Sequence, residues 1–172
     1  PAAPPRSAPN DPPVTGPPAV LKTPLDRVAA EVDKAFDALL PVPADGRSRL
    51  YQAMRYSAIG GGKRLRPLLV VAGCELFNVD RERSLRAGVA VECIHVYSLI
   101  HDDLPCMDDD DLRRGKPTLH RAYDECTAIL AGDSLHALAF EILADEATHD
   151  DPFVRVELSA EFARASGPVG MA

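Results

Sequence analysis

The sequence predicts an all-α fold, and two observations carry this prediction. Apolar residues recur at intervals of three and four along several long segments, as in helices that bury one face. No segment shows the alternation of apolar and polar residues that is typical of a half-buried strand. With 172 residues, of which 46% are hydrophobic, the chain is long enough to form one domain with a substantial core.

The amino-terminal segment is predicted to lie outside this domain. Residues 1–18 hold eight of the sixteen prolines and few apolar side chains, so they cannot bury enough surface to order themselves. The segment has too few arginines and serines for a transit peptide. We therefore divide the chain into a disordered proline-rich arm, residues 1–23, and a helical domain, residues 24–172.

The first two helices follow from periodicity and from the residues that end them. A helix is predicted from Leu25, because Val28, Val32 and Phe36 continue at helical spacing, and prolines 41 and 43 terminate it. A second amphipathic helix is predicted over residues 46–59, where three consecutive glycines, residues 60–62, stop it.

The middle of the chain predicts two helices that are more deeply buried. Pro67 suits the first turn of a helix, and the apolar run 68–74 follows it. A long helix is predicted to begin within residues 80–86 and to continue through the almost uncharged run 89–100 as far as a pair of aspartates.

Two further helices are predicted near the carboxyl end. Residues 122–147 place Leu135, Leu138 and Ile142 at helical spacing, and residues 153–165 continue the same kind of pattern. The chain then closes on residues 166–172, which do not resemble a natural terminus with a polar tail.

Composition limits the functional classes. The net charge of −7, with no basic patch interleaved with aromatic residues, argues against a nucleic-acid-binding surface. No membrane span is expected, because Glu92 and His95 interrupt the apolar run that we regard as the best candidate. The four cysteines form no C-x-x-C pair, which favours a reducing compartment and a cytoplasmic location.

The feature around which the sequence is organised is an acidic motif that follows the long buried helix. Six carboxylates lie between residues 102 and 111, and two arginines follow them at residues 113 and 114. An acidic run is usually a solvated surface, but here the preceding helix places it at the end of a core element. Crowded carboxylates repel one another and become costlier when they lose water, so the motif calls for cations.

The ligand chemistry of this motif indicates Mg²⁺ together with a diphosphate. Hard oxygen ligands without a histidine and cysteine cluster suit Mg²⁺, which takes part of its shell from water and substrate phosphates. The EF-hand spacing is absent. Because Pro105 disfavours an unbroken helix, we expect Asp102 to close the helix and the chain to loop so that Asp108 returns to the same metal.

A basic motif precedes the acidic one by about forty residues. Three glycines, residues 60–62, lead into Lys63, Arg64 and Arg66 at the head of a helix, where backbone N–H groups and the dipole also favour anions. The alternative is a glycine helix stop followed by solvated basic residues, and this would be equally good for the motif alone. A Walker A sequence is absent. Paired with a metal motif, the basic motif predicts a second diphosphate site.

These motifs resemble the trans-isoprenyl diphosphate synthases, or polyprenyl synthetases. The resemblance rests on residues 61–67, 92–105 and 107–118, with further similarity at residues 131–135 and 170–172. It is strongest to farnesyl diphosphate synthases of the bacterial type and to related short-chain enzymes, and it covers the chain from about residue 25.

The resemblance implies an antiparallel helical bundle of the isoprenoid synthase type, of which this chain would form roughly the first half. It also implies a homodimer and a Mg²⁺-dependent reaction. In that reaction an allylic diphosphate ionises and isopentenyl diphosphate attacks the resulting carbocation, most simply giving farnesyl diphosphate.

The resemblance also assigns roles to single residues. It makes Asp102 and Asp108 the Mg²⁺ ligands, with Asp103 as the third catalytic carboxylate, and it places Arg113 on the allylic diphosphate. The expected ligands of isopentenyl diphosphate are Lys63, Arg66, His95 and Arg114. The expected determinants of product length are Tyr97 and Ser98, although core packing would explain Tyr97 equally well, and a lone histidine such as His95 is more often structural.

Two alternatives stay open at this point. The family carries a second aspartate-rich motif that these 172 residues lack, so we expect weak Mg²⁺–diphosphate binding and no turnover by the chain alone. The chain would then be a noncatalytic partner subunit or an inactive fragment. A terpene cyclase also uses an aspartate-rich motif, but it needs no isopentenyl diphosphate, and the site predicted at Lys63 and Arg66 argues against it.

Overall fold

The computed structural model of the chain describes residues 19–171. Within this range seven helices and one short hairpin form, so the all-α prediction is confirmed apart from that hairpin. The elements are α1 (Ala19–Leu39), α2 (Ser48–Ala58), α3 (Leu65–Glu75), α4 (Arg81–Asp102), β1 (Leu112–Arg113), β2 (Lys116–Pro117), α5 (Leu119–Ala122), α6 (Glu125–Ala144) and α7 (Pro152–Ser166).

The centre of the bundle is the antiparallel pair α4 and α6. His101, near the end of α4, lies 3.1 Å from the carbonyl oxygen of Ile129 near the start of α6. At the other end, Arg86 forms an ion pair with Asp145 at 3.1 Å. The two helices approach closely at Gly132, where a Cβ atom would lie 2.3 Å from Nε2 of His101. The antiparallel arrangement is therefore fixed at both ends of the pair.

A single hydrophobic cluster joins α1, α2, α4 and α6, as their apolar spacing predicts. Its side chains include Val28, Val32, Phe36, Met54, Val89, Cys93, Ile100, Leu135 and Ile142. The last helix, α7, contributes no buried residue and leaves Phe153 and Val156 exposed.

Three aspartates begin helices. The side chains of Asp80, Asp124 and Asp151 accept hydrogen bonds from backbone N–H groups in the first turns of α4, α6 and α7, at 2.9, 2.7 and 2.9 Å. The cap at Asp124 corrects our prediction of one helix over residues 122–147, because the side chain starts a new helix there and separates α6 from α5.

The amino-terminal boundary also differs from the prediction. Helix α1 begins at Ala19, inside the predicted arm of residues 1–23, and Pro24 lies within the helix. Pro24 is the sixth residue of the helix, so its missing N–H bond and its ring affect only the carbonyl of Val20 in the first turn. Residues 20–23 contain no other helix breaker, so one further turn forms. Residues 1–18 lie outside the described part of the chain, and disorder there stays a prediction.

The hairpin is an element that the sequence did not predict. Leu112 pairs with Pro117 and Arg113 with Lys116 in antiparallel register. The two turn residues, Arg114 and Gly115, have φ values of 54° and 77°, as a type I′ turn requires. Strands of two residues are too short to show alternation in the sequence. The turn sets the directions in which the side chains of Arg113 and Arg114 extend.

Helix α6 corrects our choice of the best membrane-span candidate. Among the described helices it alone is long and apolar enough to cross a membrane, by length and composition. A buried core helix meets the same criterion, and seven residues of α6 lie in the interior, including Leu135 and Leu143.

Candidate active site

The glycine loop after α2 is shaped for close contact with the hairpin. Gly60 and Gly62 have φ values of 73° and 89°, which side chains rarely adopt. A Cβ atom on Gly62 would lie 2.9 Å from Nη1 of Arg114. The guanidinium of Arg114 therefore packs directly over the glycine backbone, and the loop and the hairpin form one surface.

Arg64 anchors this loop to three helices. Its Nη1 donates to Glu92 at 2.7 Å, and its Nη2 donates to Asp33 at 2.7 Å and to the carbonyl of Ala58 at 2.5 Å. The side chains of Arg64 and Glu92 are 2% and 3% exposed. Arg64 is also in the left-handed region, with φ of 49°, and lies over the ring of Phe36. Its hydrogen-bonding capacity is thus largely used inside the protein.

The four residues that were predicted to hold isopentenyl diphosphate lie together. Lys63, Arg66, His95 and Arg114 line one open cleft of about 510 Å³, within the roughly 300–1,000 Å³ range of small-molecule sites. The three cationic side chains are exposed and form no ion pair or hydrogen bond with any described residue. Three unpaired cations in one concave surface make a site for a polyanion.

His95 contributes a polar group to this cleft without adding charge at neutral pH. Burial, and then the nearby Arg66 cation, lower the pKa of His95 below its ordinary value of about 6.5. Arg114 and Arg113 lower the pKa further, against the opposing effect of Glu92. A neutral imidazole can donate a hydrogen bond to a phosphate oxygen, and a bound anion would favour its protonation.

A second cleft adjoins the first and shares Gly62, His95 and Arg114 with it. It lies between α2, α4 and the hairpin, and its lining includes Val96 and Ile100. Tyr56 of α2 closes one side by donating from its hydroxyl to the carbonyl of Pro117 at 2.9 Å. The cationic surface is therefore continuous with an apolar recess.

The acidic motif forms the loop that our reading of Pro105 predicted. Helix α4 ends at Asp102, and the backbone N–H of Asp108 donates to the carbonyl of Asp102 at 2.8 Å. Asp109, with φ of 53°, donates its N–H to Leu104. The loop thus returns Asp108 to the end of α4.

Asp103 and Arg113 are partners of each other. Asp103 is buried and accepts from Nε of Arg113 at 2.9 Å, and Nη2 of the same guanidinium also donates to it. This hydrogen bond raises the pKa of Arg113 above its usual value. The Nη1 group of Arg113 has no hydrogen-bond partner among residues 19–171, so it is the part of the side chain available to a ligand.

The carboxylates of the acidic loop fit a Mg²⁺ ion whose remaining ligands are water and substrate phosphates. The carboxylates of Asp102 and Asp108 form no ion pair within the described residues, and Asp102 lies at the negative end of the α4 dipole. No group of three or more His, Cys, Asp or Glu residues in residues 19–171 is close enough to hold a metal. One or two carboxylates with water and substrate phosphates match the usual Mg²⁺ shell.

The two residues assigned to product length lie outside the linings of both clefts. The ring of Tyr97 lies 4.7 Å from that of His101 and 5.1 Å from that of His136, toward α6. Ser98 donates from its hydroxyl to the carbonyl of His95 at 2.9 Å. Neither residue is in the lining of the two clefts, and their effect on product length stays a prediction.

Sequence reasoning missed the anchors of the site. Arg64 looked like a third phosphate ligand, whereas it is buried against Glu92. A signal was available, because Glu92 is the only acidic residue in the apolar run 89–100 and a buried carboxylate requires a cationic partner. The bonds of Thr118 and Arg121 to the acidic loop had no comparable signal.

Comparisons with known proteins agree with this geometry. The family model described as polyprenyl synthetase matches residues 47–166. Farnesyl diphosphate synthase of Escherichia coli is 50% identical over 152 residues, covering 86% of this chain and 50% of that protein. A chloroplastic geranylgeranyl pyrophosphate synthase of Capsicum annuum is 49% identical over 143 residues, covering 83% of this chain and 38% of that protein.

Solved structures give the same result for the fold. A crystal structure of an FPP/GFPP synthase from Zymomonas mobilis is 66% identical, with a TM-score of 0.87, over 88% of this chain and 55% of that one. A geranyltransferase from Legionella pneumophila is 40% identical, with a TM-score of 0.81, over 88% of this chain and 54% of that one. The chain spans about half or less of the length of the curated relatives described above.

Proposed function

The chain belongs to the polyprenyl synthetase family, and from this premise we propose that it carries the diphosphate-binding part of a short-chain prenyltransferase. The reaction would condense isopentenyl diphosphate with dimethylallyl or geranyl diphosphate. The observation that carries the proposal is the cleft in which Lys63, Arg66 and Arg114, beside His95, have no ionic partner among residues 19–171.

The cationic cleft suits the substrate that keeps its diphosphate. Arg66 and Arg114 can each grip phosphate oxygens with two parallel N–H groups, while Lys63 supplies a point charge. The same cleft opens onto an apolar recess that includes Val96 and Ile100. A charged head and an apolar tail are the two parts of a small isoprenoid diphosphate.

The acidic loop suits the substrate that loses its diphosphate. Asp102 and Asp108 would hold Mg²⁺, which when bound neutralises charge on the leaving diphosphate. Arg113 lies beside this loop, and its free Nη1 would stabilise the same developing charge. Asp103 holds that guanidinium in place, so Asp103 would act on the reaction through Arg113 as well as through the local charge.

We propose farnesyl diphosphate as the product. The names of the relatives include both farnesyl and geranylgeranyl synthases, so the comparisons do not distinguish the two product lengths. The proposal of a fifteen-carbon product depends instead on the bulk of Tyr97 and on the neighbouring Ser98. Replacing Tyr97 with Ala should lengthen the product, because the ring would no longer limit the space beside α4. Products of unchanged length, measured by chromatography of the dephosphorylated prenyl alcohols, would remove the assignment.

The test of the main proposal uses labelled isopentenyl diphosphate and geranyl diphosphate, with and without Mg²⁺, together with binding of inorganic diphosphate. Lys63→Ala and Arg66→Ala should each remove charge-assisted hydrogen bonds of roughly 1.5–3 kcal/mol, about a 10- to 150-fold loss of affinity. Lys34→Ala is the matched control, because Lys34 is an exposed cation on α1, away from the cleft.

Three outcomes separate the alternatives. A Mg²⁺-dependent fifteen-carbon product would support the whole proposal. Diphosphate binding that is lost in Lys63→Ala, without product, would support the substrate class and require further residues for turnover. Neither binding nor product would contradict the proposal and favour a noncatalytic partner subunit.

We also propose a homodimer in a reducing, cytoplasmic compartment. Exposed apolar side chains such as Leu69, Phe77 and Phe153 support association. The four cysteines, all within the described residues, are unpaired, which supports a reducing environment. Light scattering over a range of protein concentrations tests the dimer, and fractionation of source cells tests the location.

A further inference from the structure

The far side of the acidic loop is tied to the start of α5. The hydroxyl of Thr118 donates to the carbonyl of Asp110 at 2.7 Å, and its backbone N–H donates to the carbonyl of Asp111 at 3.0 Å. Nε of Arg121 donates to the carboxylate of Asp111 at 2.5 Å. These bonds, with a longer contact of 3.4 Å from the Thr118 hydroxyl to the carbonyl of Asp111, hold residues 110–111, which follow shortly after the proposed ligand Asp108.

The hydroxyl of Thr118 is used for this loop and not for its own helix. Thr118 is the N-cap residue of α5, where a threonine side chain commonly accepts from the first helical N–H groups. Here its oxygen accepts from no N–H group of α5, and its hydroxyl proton is donated to the carbonyl of Asp110. The orientation of this hydroxyl must then be fixed by another group.

His120 is that group. Its Nδ1 lies 3.2 Å from the hydroxyl oxygen of Thr118. Since the hydroxyl proton is already donated to Asp110, the oxygen can only accept, and the network assigns the proton of the imidazole to Nδ1. His120, Thr118 and Asp110 thus form one directed chain of hydrogen bonds that ends on the acidic loop.

The other ring nitrogen, Nε2, is in an energetically unfavourable environment. His120 is only 7% exposed, and Nε2 is buried with no hydrogen-bond partner among residues 19–171. An unpaired buried acceptor is unfavourable, so an apolar side chain here would serve stability at least as well as histidine. The hydrogen bond from Nδ1 to Thr118 explains why a polar ring occupies this position.

We propose that His120 is a positioning residue for the metal–diphosphate site: its Nδ1–H orients Thr118, and Thr118 fixes the acidic loop. The consequence for ligand binding depends on the function proposed above, whereas the effect on the loop does not. The histidine would act through two residues and would not touch the metal or the substrate.

Three substitutions separate the two ring nitrogens. Asn places an amide N–H near the position of Nδ1, so His120→Asn should keep the bond to Thr118. Gln reaches toward the position of Nε2, so His120→Gln should lose that bond, and His120→Leu removes both polar atoms. His149→Leu is the matched control, since His149 lies after α6 and, within residues 19–171, its side chain bonds only to the neighbouring backbone N–H of Asp151.

The first measurement needs no ligand. Amide hydrogen exchange by NMR should become faster at Thr118, whose N–H bonds to Asp111, in His120→Leu and His120→Gln, but not in His120→Asn or His149→Leu. Urea unfolding should show His120→Leu to be about as stable as the parent chain. Unchanged exchange at Thr118 in His120→Leu would overturn the proposal, whatever the chain binds.

The second measurement is the affinity for Mn²⁺, followed by electron paramagnetic resonance in the presence of inorganic diphosphate. Groups that support metal ligands are typically worth about 10- to 100-fold in metal affinity, so we expect a loss of roughly 10-fold in His120→Leu and rescue by His120→Asn. Equal affinities for the parent chain and His120→Leu, with Asp102→Ala still abolishing binding, would overturn the positioning role. No binding by the parent chain would contradict the proposed function, and the exchange result alone would then decide whether His120 orders the loop.

Discussion

Glu92→Leu should be among the most destabilising single substitutions in this chain. It would leave the guanidinium of Arg64, which is 2% exposed, with Asp33 as its remaining ionic partner. Removing one partner of a buried ion pair costs about 3–5 kcal/mol. We expect about 3 kcal/mol, the lower end of that range, because Asp33 still lies 2.7 Å from Nη2 of Arg64.

Urea unfolding followed by circular dichroism measures this loss. For a chain of this length the loss corresponds to a fall in Tm of about 6–12 °C, at roughly 2–4 °C per kcal/mol. The matched control is Glu161→Leu, which removes an ion pair with Arg164 whose two side chains are 67% and 68% exposed. Exposed pairs contribute about 0–1 kcal/mol, so the control should unfold nearly as the parent chain does.

A double-mutant cycle gives the result that would refute this reasoning. Arg64→Met alone leaves the carboxylate of Glu92 buried without its cation, whereas Arg64→Met with Glu92→Leu removes both charges. The double variant should therefore lose clearly less stability than the sum of the two single variants. Two results would refute the reasoning: additive losses of stability in the double variant, or a loss below about 1 kcal/mol for Glu92→Leu. Either would show that a charge buried without its partner is not the cause of the lost stability.

Three further predictions concern the site and the core. Gly62→Ala should weaken binding of inorganic diphosphate more than Gly60→Ala, because both have positive φ but only the new methyl at Gly62 meets Arg114; equal affinities in calorimetry would contradict this. Because the pKa of His95 is lowered in the folded chain, its contribution to stability is present above about pH 6.5 and is lost as pH falls toward that lowered pKa. Urea midpoints should therefore fall more between about pH 7.5 and 5.5 in the parent chain than in His95→Asn, and parallel falls would argue otherwise. Burial raises the pKa of Cys93, so a thiol reagent should label exposed Cys106 in the folded chain and Cys93 only after unfolding, and early labelling of Cys93 would disprove its burial.

The helices could be predicted because their signals are local and repeated. The spacing of Val28, Val32 and Phe36 requires one buried face, and the structure buries all three. For residues 122–147, where one helix was predicted, a single residue decided the outcome: Asp124 divides the segment into two helices by capping the second one. A cap adds about 1 kcal/mol at one position and leaves the apolar periodicity unchanged, so periodicity alone cannot locate it.

The residues of the site could be predicted, but not which of them face a ligand and which are bonded inside the protein. Lys63, Arg64 and Arg66 are equivalent as a basic motif, yet Arg64 turns inward because its left-handed backbone and the carboxylate of Glu92 provide a buried partner. That partner is 28 positions away in the sequence, and no short motif contains it. Asp103 differs in that its partner is near in the sequence: its charge looked available to a metal, but Arg113 of β1, 10 positions further on, holds it. A basic motif alone therefore does not show which cation meets the ligand: Lys63 and Arg66 line the cleft, whereas Arg64 is held inside by a buried carboxylate.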